Sequence, residues 1–363
     1  MREAALVDGD EDGEAPVRRT ALAPATRVLL TLASAAIVIW GLSTARDVVG
    51  PLLLGAVLVL LFHPLRAAIK NHGGPSWVAT LAVAACAYLT LAALAVLIAL
   101  ALAQFVRMLG DYSQAIEGLW KDIQSTLEHV GLTTGAPVAQ WLDPVTILKT
   151  FATLGQGLAS AGVAFFLVLG YIFFMVSDGG RVGELTTEFG SSHGRVIVAF
   201  TDYSAAVRRY FVVSAIFGAI VAIIDGLLLW ALGIPGAFVW AVLAFLTNFI
   251  PNIGFFIGLV PPTILALVTG GWALALVVIA MYCVVNFLLQ SLVQPHFVSR
   301  TVRLGLTLTF FSVVFWSVTI GALGALLAIP LTLFVRMLLL EAIPASRWAR
   351  WLTGDRVADT GSR

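Results

Sequence analysis

Charge is scarce in this sequence. Asp, Glu, Lys and Arg supply 11% of its 363 residues, where soluble domains carry about 25%. With a mean hydropathy of +0.98, that shortage excludes an ordinary soluble domain and places the chain in the membrane class. The net charge is +1, so no basic field exists to recruit nucleic acid. Cysteine is nearly missing too. Cys86 and Cys283 stand far apart, each inside an apolar run, and read as small packing residues, not as a disulfide or a metal pair. There is no Cys/His cluster, no Gly-x-x-x-x-Gly-Lys-[Ser/Thr] phosphate loop, no His-Glu-x-x-His and no Gly-x-Ser-x-Gly. Nucleotide hydrolysis by a phosphate loop and both common hydrolase motifs are therefore excluded. No cofactor or metal is implied, and the chain reads as a protein that is not an enzyme.

A positive leader is also missing. The sequence opens with Glu3, Asp8, Asp10, Glu11, Asp12 and Glu14, and only then Arg18, Arg19 and Arg27. A secretory signal begins with a positive region instead. Residues 1–27 are expected to form a disordered cytoplasmic tail whose arginines anchor the first span.

What is present is apolar sequence in long runs. A spanning helix needs about 20 mostly apolar residues. Residues 28–45 and 49–65 qualify, with Gly50 and Pro51 at the expected turn between them. A polar turn from Arg66 to Pro75 follows, then a charge-free span over 77–103. These three spans form one unit, 28–103. Residues 104–150 carry Arg107, Asp111, Glu117, Lys121, Asp122, Glu128 and Lys149. Ile116, Leu119, Trp120 and Ile123 recur there at helical spacing, and a Gly131–Pro137 break follows. This is an amphipathic extracytoplasmic insert. A membrane transport core over 151–342 comes next, with a fourth span at 151–176 ending on Ser177-Asp178-Gly179-Gly180. Its fifth span lies at 210–232, and 343–363 is a cytoplasmic tail.

Two stretches are too long for one crossing. From Gly226 to Ser299, 74 residues pass without Asp, Glu, Lys or Arg, and from Leu304 to Val335 another 32 do. As a straight helix the second would be roughly 48 Å long, against a hydrocarbon core of about 30 Å. Glycine and proline divide them at Gly233-Ile234-Pro235-Gly236, Pro251-Asn252-Ile253-Gly254, Gly270-Gly271, Gly321, Gly324 and Pro330. The expected fold is all-α: a polytopic helical membrane protein of about eight membrane segments, including two Gly/Pro-interrupted hairpins and the amphipathic insert. Re-entrant hairpins and full crossings both fit the run lengths.

Lys and Arg collect on cytoplasmic loops. With the N-terminus inside and both hairpins re-entrant, only Arg46, Arg107, Lys121 and Lys149 fall outside, leaving 17 of 21 basic residues in the cytoplasm. The reverse orientation inverts that ratio. Both termini are therefore placed in the cytoplasm.

Broken helices at matching depth mark a transporter's binding site, because freed backbone can face a cavity but not lipid. Asp225 lies inside the fifth span between apolar neighbours. A central Asp costs about 2.5–3.5 kcal/mol on insertion scales, which points to proton or cation coupling or a solute contact. A structural carboxylate bonded to a neighbouring helix is the plainer reading. Asn286, Gln290 and Gln294, at i, i+4 and i+8, form an amide stripe able to line a polar path or to glue helices together. Asn248 and Asn252 flank Pro251 at the first break, beside Gly254, and can contact solute or cap helix ends. Gly321, Gly324 and Pro330 are the hinge or hairpin residues of the second segment. Asp178 reads as a loop or cap residue, and Arg208 and Arg209 as anchors of the fifth span.

Several segments together resemble the signature of the autoinducer-2 exporter family. They are Phe238-Val239-Trp240 through Phe249-Ile250-Pro251-Asn252-Ile253-Gly254, Val260-Pro261-Pro262, Gln294-Pro295, Phe311-Ser312, Phe315-Trp316, and Gly321 through Leu331. The resemblance runs from about residue 28 to 342 and includes the span order and the insert. It implies a homo-oligomeric bacterial inner-membrane transporter. In the founding members the exported solute is autoinducer-2, a small polar signal of quorum sensing. Other members resemble sodium- or lithium-proton antiporters. Two departures stand out. Gln294 replaces an acidic residue common before Pro295, and Leu304-Gly305-Leu306 stands where a Leu-His-Pro or Leu-Asn-Pro step is frequent. The first departure counts against an antiporter that relies on that carboxylate. The partners implied are a small polar solute or cation, the bilayer and further copies of the chain. A passive pore and a non-transporting scaffold are the readings from other classes, distinguished by unsaturable flux and by no flux.

Overall fold

In hydrocarbon a backbone must satisfy its own polar groups, so the charge-free runs fold as helices. A computed structural model of the chain describes residues 24–129, 168–179, 182–251, 253–293 and 305–341. Among the described residues every regular element is helical, as the sequence predicts for an all-α polytopic membrane protein. Helix α1 is Pro24–Thr44, α2 Arg46–Asn71 and α3 Ser76–His129; α4 is Val168–Asp178. Helix α5 is Val182–Ala231, α6 Ala237–Thr247 and α7 Gly254–Asn286, which runs on into a π-helical turn, Phe287–Val293. Helices α8, α9 and α10 are Leu306–Ile320, Ala322–Leu326 and Ala328–Arg336, and a second π turn covers Met337–Glu341. Arg46–Asn71, Ser76–Tyr112, Val196–Ala231 and Gly254–Gln290 are each long and apolar enough to cross a membrane, and five shorter apolar helices accompany them. Large apolar side chains such as Trp40, Trp230, Trp272 and Val318 point outward, as lipid-facing residues do.

Several expected boundaries move. The turn after α1 falls at Ala45, and Pro51 lies inside α2. It sits near the helix start, beside the exposed Arg46 and Asp47, where one missing N–H is tolerated near water. Helix α2 also extends through Arg66 and Lys70, so the polar turn shrinks to His72–Pro75, with Gly73 at φ +78. Helix α3 continues unbroken past residue 103 to His129. At 54 residues it is about 80 Å long, so the insert begins as a rigid extension of the third span. In the same way α5 joins the charged stretch after residue 181 to the fifth span as one helix of 50 residues. Residues 1–23, 130–167, 294–304 and 342–363 are outside the described set. So are the Gly131–Pro137 break, most of the fourth span, Gln294-Pro295, the C-terminal tail and all of the N-terminal tail but residues 24–27, which are not a tail but the first turn of α1.

Three apolar clusters hold the helices together. One joins α2, α5, α8 and α10 through Val57, Val207, Phe211, Val313, Trp316, Leu327 and Ile329. A second joins α3, α6 and α7 through Met108, Trp240, Leu265 and Val278. The third packs α2 and α3 on α4 through Leu58, Val83 and Ile172. Arg66 is buried at the edge of this third cluster. Its Nη1 donates to the Val176 carbonyl at 2.8 Å and to Thr80 Oγ1 at 3.2 Å, satisfying one of the orphan carbonyls at the C-terminus of α4.

Both interrupted segments are helical hairpins. In the first, α6 ends at Thr247, the chain turns through 248–253, and α7 starts at Gly254. A Cβ added to Gly254 would lie 1.8 Å from the Thr247 carbonyl oxygen, so only glycine permits this approach. Helix α7 breaks again at Gly271, with φ 71 and ψ −167. In the second, α8 ends at Gly321 with φ +78, and α10 returns along α8. The Trp316 indole N–H donates to Thr332 Oγ1 at 3.0 Å, Thr332 donates to Ser312 Oγ at 2.8 Å, and Ser312 donates to the Leu308 carbonyl at 2.7 Å. Gly324 rests on the Trp316 carbonyl. Pro330 is the third residue of α10, where the helix has no N–H to lose; it starts that helix, and the bends fall at Gly321 and Leu327.

Candidate functional site

The site forms where the first hairpin's tip meets two long helices. Tyr210, Ser214, Gly218, Val221 and Asp225 recur at spacings of three and four and so share one face of α5. That face carries the tip. The Tyr210 hydroxyl donates to the Phe249 carbonyl at 2.7 Å, and Asn248 Nδ2 donates to the Ser214 carbonyl at 2.8 Å. Gly218 leaves room for this seat, since a Cβ there would meet Asn248 Nδ2 at 3.0 Å. From the other side, Gln290 in the π turn donates to Asn248 Oδ1 at 3.1 Å and to Asn286 Oδ1 at 2.7 Å. Asn286 Nδ2 in turn donates to the Tyr282 carbonyl at 2.9 Å. The result is a continuous amide chain from α7 through the tip to α5.

These groups line a partly open cavity of about 10 Å³, room for about one water molecule. Asp225, Asn248, Gly254, Asn286 and Gln290 all line it, so the structure brings together five of the residues singled out in the sequence. Pro251 stands in the same turn, half-buried, but does not line the cavity. Asn252 and Gln294 lie outside the described residues. Gly321, Gly324 and Pro330 belong to the second hairpin and do not line the cavity. Asp178 is exposed at the end of α4, and Arg208 and Arg209 lie mid-helix in α5. Cys86 and Cys283 are both free.

Asp225 stands out. It is fully buried, at 0% exposed, and neither carboxyl oxygen has a hydrogen-bond partner among the described residues. The plainer reading of a carboxylate bonded to a neighbouring helix is thus not what the structure displays. Tyr282 was not singled out in the sequence, yet it lines the cavity, and its hydroxyl is likewise buried without a partner among the described residues. It sits four residues before Asn286, so it heads the same stripe that Asn286 and Gln290 continue. Thr247 is the other overlooked lining residue. The stripe from Tyr210 to Asp225 was also legible as a polar and small face on an otherwise apolar span.

A polytopic helical protein with a buried polar site at a broken helix is built like a secondary transporter. Residues 28–343 match the family model described as AI-2E family transporter, and the chain belongs to that family. The AI-2 transport protein TqsA of Escherichia coli (strain K12) is 26% identical over 317 residues, covering 86% of this chain and 91% of the relative. YhhT of the same strain is 26% identical over 307 residues, covering 84% and 88%. MT0215 of Mycobacterium tuberculosis (strain CDC 1551 / Oshkosh) is 26% identical over 344 residues, covering 90% and 91%. The chain is therefore a membrane transporter of this family, acting on a small solute.

Proposed function

We propose that this protein is a secondary exporter of a small polar solute across the bacterial inner membrane, and that the solute passes at the tip of the first hairpin. The observation that carries this reading is the convergence of Asp225, Asn248, Gly254, Asn286 and Gln290 on one cavity beside a broken helix. The amides and hydroxyls there suit a neutral, polyol-like solute or a small cation. An anion is disfavoured, because residues 226–299 hold no Lys or Arg. Autoinducer-2 is the solute we assign first, from the relationship to TqsA. The cavity has room for about one water, so passage of the solute there would require the tip to move.

A sodium- or lithium-proton antiporter is the second reading, favoured by the buried and unpartnered Asp225. Both termini are assigned to the cytoplasm from the Lys/Arg distribution. The assembly is assigned as a homo-oligomer from the family relationship, and cross-linking in native membranes tests this. The deciding experiment places purified protein in liposomes and follows autoinducer-2 efflux and sodium-dependent proton movement side by side. Saturable efflux is expected. Proton exchange without efflux retires the exporter, unsaturable leak makes the protein a pore, and absence of both leaves a scaffold.

A further inference from the structure

The cavity is too small for the solute but fits a coupling ion. Asp225 offers two buried carboxyl oxygens, and the Tyr282 hydroxyl is likewise buried and unpaired among the described residues. Both line the same space of about 10 Å³. We infer that Asp225 and Tyr282 form a proton-carrying site, and that this site takes a proton in preference to a metal cation. The inference rests on the transporter reading above and names the ion that drives it.

The argument against a metal cation lies in the donors. Sodium sites in broken-helix transporters use carbonyls freed by the unwound backbone, and a cation stripped of water needs several oxygens at once. Here most of the described carbonyls of the tip are taken. Leu246, Thr247, Ile250, Pro251 and Ile253 accept backbone N–H groups, and Phe249 accepts the Tyr210 hydroxyl. Asn248 and Asn286 Oδ1 accept from Gln290. Among the described side chains that line the cavity, one carboxyl, one phenol and the Thr247 hydroxyl remain for an ion. That set is too sparse for a metal cation and sufficient for a proton with one water.

The step balances simply. When the site opens to water, the carboxyl O–H of Asp225 breaks, its proton passes to that water, and the carboxylate left behind turns to accept the Tyr282 O–H, which it does not meet in this structure. Protonation reverses it. Among the described residues no other charged group lines the cavity; α3, which shares the apolar cluster of Tyr282, carries Arg107 and Asp111, both exposed. Helix α6 brings Thr247 and Asn248, α7 brings Tyr282 and Asn286, and the π turn brings Gln290. On α5 the next charged residues toward its start are Arg209 and Arg208, about 24 Å away along the helix. His63 and Arg66 of α2 lie at the level of Arg208, and Arg336 of α10 follows Phe334, which packs on Tyr203.

Infrared difference spectroscopy of the full chain in lipid, titrated with pH, tests the site without any transported solute. The expected result is a protonated-carboxyl band that titrates, is missing in Asp225→Asn, and survives in Asp225→Glu. In Tyr282→Phe the carboxyl should hold its proton roughly tenfold more tightly, the size of one charge-assisted hydrogen bond. Saturating sodium or lithium should not move the titration. A band that persists in Asp225→Asn, or a midpoint that shifts with sodium or lithium, overturns the inference, and an unshifted Tyr282→Phe removes Tyr282 from the site. The band present without solute efflux overturns only the exporter reading; efflux without the band overturns only the proton site.

Discussion

Gly254→Ala tests the hairpin most directly. The added Cβ would stand 1.8 Å from the Thr247 carbonyl oxygen and 2.7 Å from its carbon. Carbon–oxygen contacts settle at about 3.3–3.6 Å, so the two legs must part by roughly 1.5 Å. The obstacle is backbone, which cannot swing aside as a side chain can. Overpacking costs about 1–3 kcal/mol and occasionally more, and backbone against backbone places this variant at about 3 kcal/mol. Two other glycines calibrate the result. Gly271 has φ +71, ψ −167 and open space around it, so alanine there costs only the strain of a backbone region that is nearly glycine's alone, about 1–3 kcal/mol. Gly41 in α1 has nothing within 4 Å of a Cβ, and alanine there gains up to about 1 kcal/mol of helix propensity. Thermal unfolding in one detergent should rank the variants Gly41→Ala, Gly271→Ala, Gly254→Ala from most to least stable, with efflux lost first in the last. If Gly254→Ala melts with Gly41→Ala, the close approach of the two legs is wrong.

Other substitutions probe the remaining contacts. Arg66→Ala should lower stability by about 1.5–3 kcal/mol, the worth of hydrogen bonds from a charged donor, read as a lower unfolding midpoint; Thr80→Val, which removes only the longer contact, should cost less. Thr332→Val keeps the shape but strands the Trp316 indole N–H, at about 1–3 kcal/mol, whereas Ser312→Ala leaves the Thr332 hydroxyl free to turn elsewhere. Equal melting of these two variants would contradict the hydroxyl chain. Tyr210→Phe should cost about 0.6 kcal/mol, the average for one hydrogen bond in a membrane, while raising the rate of efflux; an unchanged rate would mean that the tip does not gate transport.

The breaks were legible because they are local. Gly233, Gly236, Gly271 and Gly321 all take positive φ, a need that glycine alone meets readily. Pro51 misled for the same kind of reason: proline weighs as a breaker in sequence, yet near a helix start it breaks little. The ends of α3 and α5 were hidden because charge reports where a helix leaves the membrane, not where its backbone stops. The Asn286–Gln290 bond was readable from i, i+4 spacing. That Asp225, 23 residues upstream of Asn248, faces the same cavity depends on how α6 folds back along α5, and no local pattern encodes that. Tyr282 escaped because an aromatic in an apolar helix reads as packing until its hydroxyl is found buried.

The energies also say which part can move. The bodies of α5, α6 and α7 are fastened by buried apolar side chains, each worth about 1.5–3 kcal/mol in water-based terms, and by close backbone contacts such as Gly226 on Ala241. The tip is fastened differently. Half-buried Phe249, Ile250 and Ile253 pack on the first apolar cluster, and three side-chain hydrogen bonds bind the tip: Tyr210 to Phe249, Asn248 to Ser214, and Gln290 to Asn248. At about 0.6 kcal/mol each in a membrane, they sum to about 2 kcal/mol. That polar share of the tip's hold is small beside the apolar packing of the helix bodies. The helices are thus rigid on the scale at which the tip is loose. An ion that changes the charge at Asp225, beneath the tip, biases that balance through groups already touching it, without repacking any helix. If the proposed site couples proton binding to solute passage through the tip, weakening its tethers should speed opening while loosening the coupling.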